Sequence, residues 1–216
     1  MVIRDLMEAA TAAMIDKTPK ELTSKEIARM AGVTEGMIHY YFGGKDGLFV
    51  EIWNNFIGSA PVDSDDPPIS RECVSERSIT PLIKELTAFY YSRPQVVRAS
   101  TIEFMRKESK LRAVFFKRHL NQRPMLVLHT LKLLIQRGIY RQDAEAGYAT
   151  IAIMSIVLGP ILFPYLMPFV HLGFDDLRDD SWADFIGGLI DGRYLVEQSA
   201  CADDRLPSAT RAPADR

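Results

Sequence analysis

Ile27-Ala28-Arg29-Met30-Ala31-Gly32-Val33-Thr34-Glu35-Gly36-Met37-Ile38-His39-Tyr40-Tyr41-Phe42-Gly43-Gly44-Lys45-Asp46-Gly47-Leu48 is the stretch that decides the fold. Thr23-Ser24-Lys25-Glu26 precedes it and reads as a capping box, with Glu26 three residues after Thr23. A short helix follows, with the small residues Ala28 and Ala31 where a second helix must cross it. Gly32 supplies a turn, because a left-handed backbone costs glycine little. Val33 pins that turn to the core, and Thr34 opens a second short helix. This helix buries Ile38 and Phe42 and turns Thr34, Glu35, Gly36, Met37, His39 and Tyr40 outward; Tyr41 is expected to pack. Short helix, glycine turn and short helix make a helix-turn-helix, whose exposed side can enter a major groove.

Helical periodicity continues on both sides. Ile3, Leu6, Met7, Ala10 and Met14 share one face of a helix that stops near Lys17-Thr18-Pro19. Leu48, Phe49, Ile52, Trp53 and Phe56 form the next stripe. Residues 58–72 are rich in proline and aspartate and predict a loop. Beyond it, Leu82, Ile83, Leu86, Phe89 and Tyr90 restart the pattern, and Arg93-Pro94 breaks it. A long helix is predicted over 110–137, kinked or split at Pro124, and two further helical stretches over 142–170 and 182–198. Residues 200–216 lack periodicity and read as a disordered tail. With no strand alternation, the class is all-α: an N-terminal three-helix head over 1–57, a loop over 58–72 and a helical bundle over 73–199.

The string from Ile27 to Leu48 resembles the tetracycline-repressor (TetR) family pattern: an Ile-Ala pair, Ala-Gly-Val then Ser or Thr, an aromatic cluster ending in Phe, and Lys-acid-x-Leu. The likeness covers roughly residues 3–56. It implies a homodimeric, ligand-released repressor that binds double-stranded DNA at a palindromic operator. By the same resemblance, Thr34, Glu35, Gly36, Met37 and His39 would face bases. Ser24, Lys25, Tyr40 and Lys45 would contact phosphates, Lys45 at a helix start where the dipole favours an anion. His39 stands where the family usually has tyrosine, and Lys17-Thr18-Pro19 replaces a Gly-aromatic pair. The family also implies a four-helix dimer interface, here placed at 142–165 and 182–198, where Gly187, Gly188 and Gly192 would let helices approach closely. It implies a pocket for a small apolar or amphipathic effector, with an anionic one left open. The lining expected for it is Phe89, Tyr90, Phe104, Met105, Phe115, Phe116, His119, Met125, His129, Met154 and Phe163.

Composition narrows the alternatives. Of 216 residues, 47% are hydrophobic and 25% charged, with net charge −2. The charge is uneven: net −2 over 1–57, −3 over 58–92, +10 over 93–141 and −7 over 142–216. The basic block therefore lies outside the head, either as solvated helix faces or as an anion-binding surface. A head with net −2 should bind DNA weakly by phosphate attraction alone, and two heads reading a palindrome are the remedy. Cys73 and Cys201 make no disulfide framework and no zinc pattern, and no metal or cofactor is expected. Asp5, Glu8 and Asp16 interrupt any secretory leader, so the cytoplasm is the expected compartment. The apolar run 146–172 is long enough to span a membrane, but its prolines and acidic flanks argue against that. No Walker loop, His-Glu-x-x-His or Gly-x-Ser-x-Gly is present, so no enzyme is predicted. The remaining alternative is a helical adaptor for proteins or membranes that does not bind DNA.

Overall fold

The computed structural model describes residues 1–57, 68–109, 111–112, 122–170, 173 and 175–196. Four helices build the head: α1 (Val2–Ala13), α2 (Ser24–Met30), α3 (Gly36–Phe42) and α4 (Lys45–Ile57). Their apolar stripes meet in one core around Leu6, Ala10, Ile27, Ile38, Phe49 and Trp53. The predicted capping box is formed: Glu26 N donates to Thr23 Oγ1 (3.2 Å), and Thr23 N donates to Glu26 Oε2 (3.0 Å). Lys17 Nζ reaches Glu26 Oε1 at 2.7 Å. That ammonium first, and the Thr23 N–H next, hold the Glu26 carboxyl down at about 2, against a usual 4.5. Gly32 and Gly43 sit at φ +68° and +70°, where a side chain would be strained.

The body is made of α5 (Pro68–Glu76), α6 (Thr80–Ser92), α7 (Pro94–Met105), α8 (Gln122–Gln136), α9 (Ala146–Leu162), a 3-10 helix (Pro164–Val170) and α10 (Asp180–Tyr194). A second core lies between α5, α6, α8, α9 and α10, around Leu82, Leu86, Val127, Leu131, Ile153 and Ile186. The loop expected to run to residue 72 ends sooner, at Pro68. Proline suits a first helical position, and burial of Ser70 and Cys73 gives α5 an inner face that proline and aspartate obscure in the sequence. Ser70 Oγ pairs with Thr130 Oγ1 across this core at 2.8 Å. Helix α8 is described from Gln122; the kink or split predicted at Pro124 turns on residues 113–121, which lie outside the described residues. The stretch 142–170 is not one helix: it starts at Ala146 and breaks at Phe163, between Pro160 and Pro164. Among the described residues, no helix is long and apolar enough to cross a membrane. They also hold no named strand, only an isolated bridge between Tyr140 and Leu195. The tail expected at 200–216 lies outside the described residues.

Asp191 fastens α10. It accepts from Ser78 Oγ (2.6 Å), from Ile79 N (3.3 Å) and from Tyr140 Oη. Gly187 fits against α6, not against a partner helix: a methyl there would stand 2.0 Å from Thr80 Oγ1 and 3.2 Å from Thr80 Cα. Gly188 and Gly192 face open space.

Two outcomes follow for stability. Thr23→Ala removes an N-cap acceptor and should cost about 1 kcal/mol in urea denaturation. Gly187→Ala forces α10 off α6 and should cost about 1–3 kcal/mol. A neutral Gly187→Ala would show that α10 has room to shift.

Candidate nucleic-acid interface

Helix α3 is built to be read from outside. Ile38 is fully buried in the head core, and Phe42 is half-buried beside it. Everything else on the helix faces out. Thr34, Glu35, Gly36, Met37, His39 and Tyr40 are all exposed. Tyr40 is the most open of them, at 79%. One apolar anchor per turn fixes the helix on α4 and leaves a continuous free face about two turns long. The helix ends at Gly43, whose N–H returns to the His39 carbonyl at 3.0 Å. The next residue, Gly44, lies under the His39 imidazole, 3.7 Å from its nearest ring atoms to a notional Cβ. A Cβ at 44 would meet that ring only in ordinary van der Waals contact, so it is the backbone at φ +123°, not the space, that calls for glycine there.

Tyr41 departs from the sequence expectation. It is 42% exposed and meets Tyr40 edge-on, with ring centroids 4.9 Å apart. Successive residues turn by about 100° around a helix, so three consecutive aromatics cannot share one inner face, and Phe42 takes it. Tyr40 and Tyr41 thus present a paired aromatic edge at the end of α3.

Ser24 is half-buried and Lys25 exposed at the start of α2. Lys45 is less free. Its Nζ donates to the carbonyls of Pro19 (2.8 Å) and Leu22 (2.5 Å), with a longer contact to Lys20 (3.4 Å). An ammonium has three donors, and these carbonyls engage them. Lys45 therefore ties the start of α4 to the loop before α2. This bracing role was not visible in the motif, where Lys45 stands only as a basic residue at a helix start.

The residues expected to line an effector pocket separate into three groups. Phe89, Tyr90, Phe104 and Met154 are half-buried and pack against the cores. Met105, Met125, His129 and Phe163 lie on the exposed surface instead. The cause is helical phase: Leu126, Val127 and Thr130 take the inner side of α8, which turns Met125 and His129 outward. Phe115, Phe116 and His119 lie outside the described residues. Cys73 is buried, and burial pushes its thiol up to about 12, so it is a core residue rather than a reactive one.

Comparison with known proteins agrees with this geometry. The family model for bacterial regulatory proteins of the tetR family matches residues 6–52. Over 45 residues the chain is 49% identical to the HTH-type transcriptional regulator BetI 2 of Chromohalobacter salexigens; the match covers 21% of this chain and 22% of that protein. The fold is shared more widely. The ketosteroid transcriptional regulator KstR2 of Mycobacterium tuberculosis superposes with a TM-score of 0.67 at 17% identity, covering 91% of this chain and 96% of that one. NalD of Pseudomonas aeruginosa, the secondary repressor of the MexAB-OprM multidrug efflux pump, gives 0.63 at 19% identity, with 91% and 96% covered. The transcriptional regulator FadR of Bacillus subtilis, in complex with stearoyl-CoA, gives 0.64 at 15% identity, with 87% and 96% covered. The head thus matches the tetR family of bacterial regulatory proteins over residues 6–52, and the fold along most of the chain is the one these regulators share.

Proposed function

We propose that this protein is a DNA-binding transcriptional regulator, a repressor that grips a palindromic operator as a homodimer and lets go when a small effector binds. The observation that carries the reading is the free face of α3, which presents Met37, His39 and Tyr40 on a helix anchored through Ile38. Such a helix fits a major groove, where base edges carry a distinct code. Thr34, Glu35, Gly36, Met37 and His39 read bases. Ser24, Lys25 and Tyr40 hold phosphates, and Lys45 adds its charge from the braced start of α4. An operator on the chromosome puts the protein to work in the cytoplasm.

A dimer is supported by the outer faces of α9 and α10. Tyr148, Ile151 and Ser155 are exposed along one side of α9, at steps of three and four. Phe185, Gly188, Leu189 and Gly192 do the same on α10. Tyr148 and Ile151 are 72% and 67% exposed and Phe185 is 55% exposed, an apolar surface that water does not favour. A second copy of the same two helices would cover it isologously. The effector in this reading is apolar or amphipathic, held among Phe89, Tyr90, Phe104 and Met154 between the two cores.

Tyr40→Ala and His39→Ala test the reading face. His39→Ala should weaken operator binding by about 1–3 kcal/mol in fluorescence anisotropy, with random DNA affected far less, whereas Tyr40→Ala should weaken both DNAs alike. Equal losses on both DNAs for His39→Ala would assign it to the backbone alone, and a loss confined to the operator for Tyr40→Ala would move it to the bases. Binding to random DNA should show a shallow salt slope, since the head carries net −2. For the dimer, Leu189→Asp buries a charge in the expected interface and should yield monomers by analytical ultracentrifugation. An unchanged dimer would move the interface elsewhere.

A further inference from the structure

Arg123 lies in the first turn of α8 and is only 7% exposed. Arginine is seldom buried unless its charge is matched. Here the match is thin. Among the described residues its polar contact is a single one, from Nη1 to Glu85 Oε1 at 3.3 Å. The Glu85 side chain is itself 40% exposed, so half of this pair stands in water. The guanidinium rests over the Phe89 ring, with Cζ 3.4 Å from the centroid. Burial pulls Arg123 below the usual arginine value, with Tyr90 and Glu85 acting the other way. A guanidinium has five N–H donors in a planar fork, and most of these are left for another acceptor.

Tyr90 stands beside it. Its ring meets Phe89 edge-on at 5.1 Å, and it packs against both cores. Burial raises its phenol to about 12, opposed by the Arg123 charge. Among the described residues its hydroxyl has no hydrogen-bond partner. A buried guanidinium with one polar partner and the hydroxyl of a half-buried tyrosine thus stand together against aromatic carbon, and both have donors to offer.

We propose that Arg123 and Tyr90 are the anion-binding end of the effector site, and that the effector is an organic monocarboxylate with an apolar body. The planar fork matches the two oxygens of a carboxylate, and Tyr90 supplies a further donor. Glu85 selects against doubly charged groups such as a phosphate monoester, because like charges would crowd one guanidinium. When the carboxylate arrives, the half-exposed Glu85 turns to water. Phe89 carries the exchange onward. Phe56 of α4 stacks on the same ring, with centroids 4.6 Å apart and planes at 28°. At these separations both groups lie against ring faces, and contact radii leave no room for them on one side. Arg123, Phe89 and Phe56 therefore form a continuous stack from α8 to the last turn of the head.

This proposal rests on the reading of the chain as an effector-responsive regulator, but its test needs no DNA. Full-length protein is titrated by calorimetry and thermal shift with octanoate, dodecanoate and phenylacetate, each beside its primary amide. At least one carboxylate should bind at least about tenfold more tightly than its amide, a preference that Arg123→Met abolishes. Glu85→Gln, at a half-exposed position that leaves the fold intact, should tighten carboxylate binding severalfold. Amides binding as tightly as acids, a weakening by Glu85→Gln, or no carboxylate binding to folded protein would each overturn the proposal. If Arg123→Met unfolds the protein, Glu85→Gln and the acid-to-amide ratio decide alone. An amide that binds equally well and releases DNA would leave the regulator reading standing while removing the anion anchor. Carboxylate selectivity in a protein that never binds DNA would do the reverse.

Discussion

Phe56 and Phe89, stacked at 4.6 Å, join the head to the body, and the behaviour of the molecule depends on that seam. An apolar ring pair fixes the relative position of two helices without using up a polar group. Its surroundings strengthen the join. Val96, Val97 and Ala99 of α7 belong to the same core as the head helices. The Arg98 guanidinium donates to the Ile15 carbonyl just after α1. Further along, the buried Glu103 accepts from Arg106 Nη1 (2.8 Å) and Ser109 Oγ (2.7 Å), on the body side of a cleft that Pro19, Lys20 and Lys45 line from the head. The head is thus seated on α6 and α7 rather than hung from a linker. Small movements of α6 or α7 must tilt it, because packed cores transmit displacement rather than absorb it.

Within the head, two local devices set the pose of α3. The capping box of Thr23 and Glu26 starts α2, and the Lys45 ammonium clamps the loop in front of it to the start of α4. Both act on backbone groups, so they fix the angle between helices without occupying the reading face. That division explains how an acidic head can still serve a DNA-binding role. Geometry is supplied by internal polar contacts, and the outer face is left for base edges. In the proposed reading, affinity depends on pairing two heads through the apolar outer sides of α9 and α10.

Much of this was legible in the sequence. The glycine turn at Gly32, the anchor Ile38, the stop at Gly43 and the cap at Thr23 are local, and local chemistry determines each. What was not legible depends on long-range contacts. Pro68 opens a helix because Ser70 meets Thr130 and Cys73 enters the second core, and neither partner is a neighbour in sequence. Met125 and His129 point outward because the phase of α8 is set by what α5 and α9 present to it. Arg123 looked like one charge among twelve in a basic block, and only its burial against Phe89 sets it apart. Gly187 suggested a contact between subunits, and it is Thr80 of the same chain that fills the space.

The most direct test of the account is selection of genomic DNA fragments by the purified protein at about 0.15 M salt, near the physiological screening condition. Enrichment of one or a few near-palindromic sites, bound by a dimer, is the predicted result. A folded dimer that enriches no site would contradict the central claim, and would leave the apolar surface of α9 and α10 as an interface for some other partner.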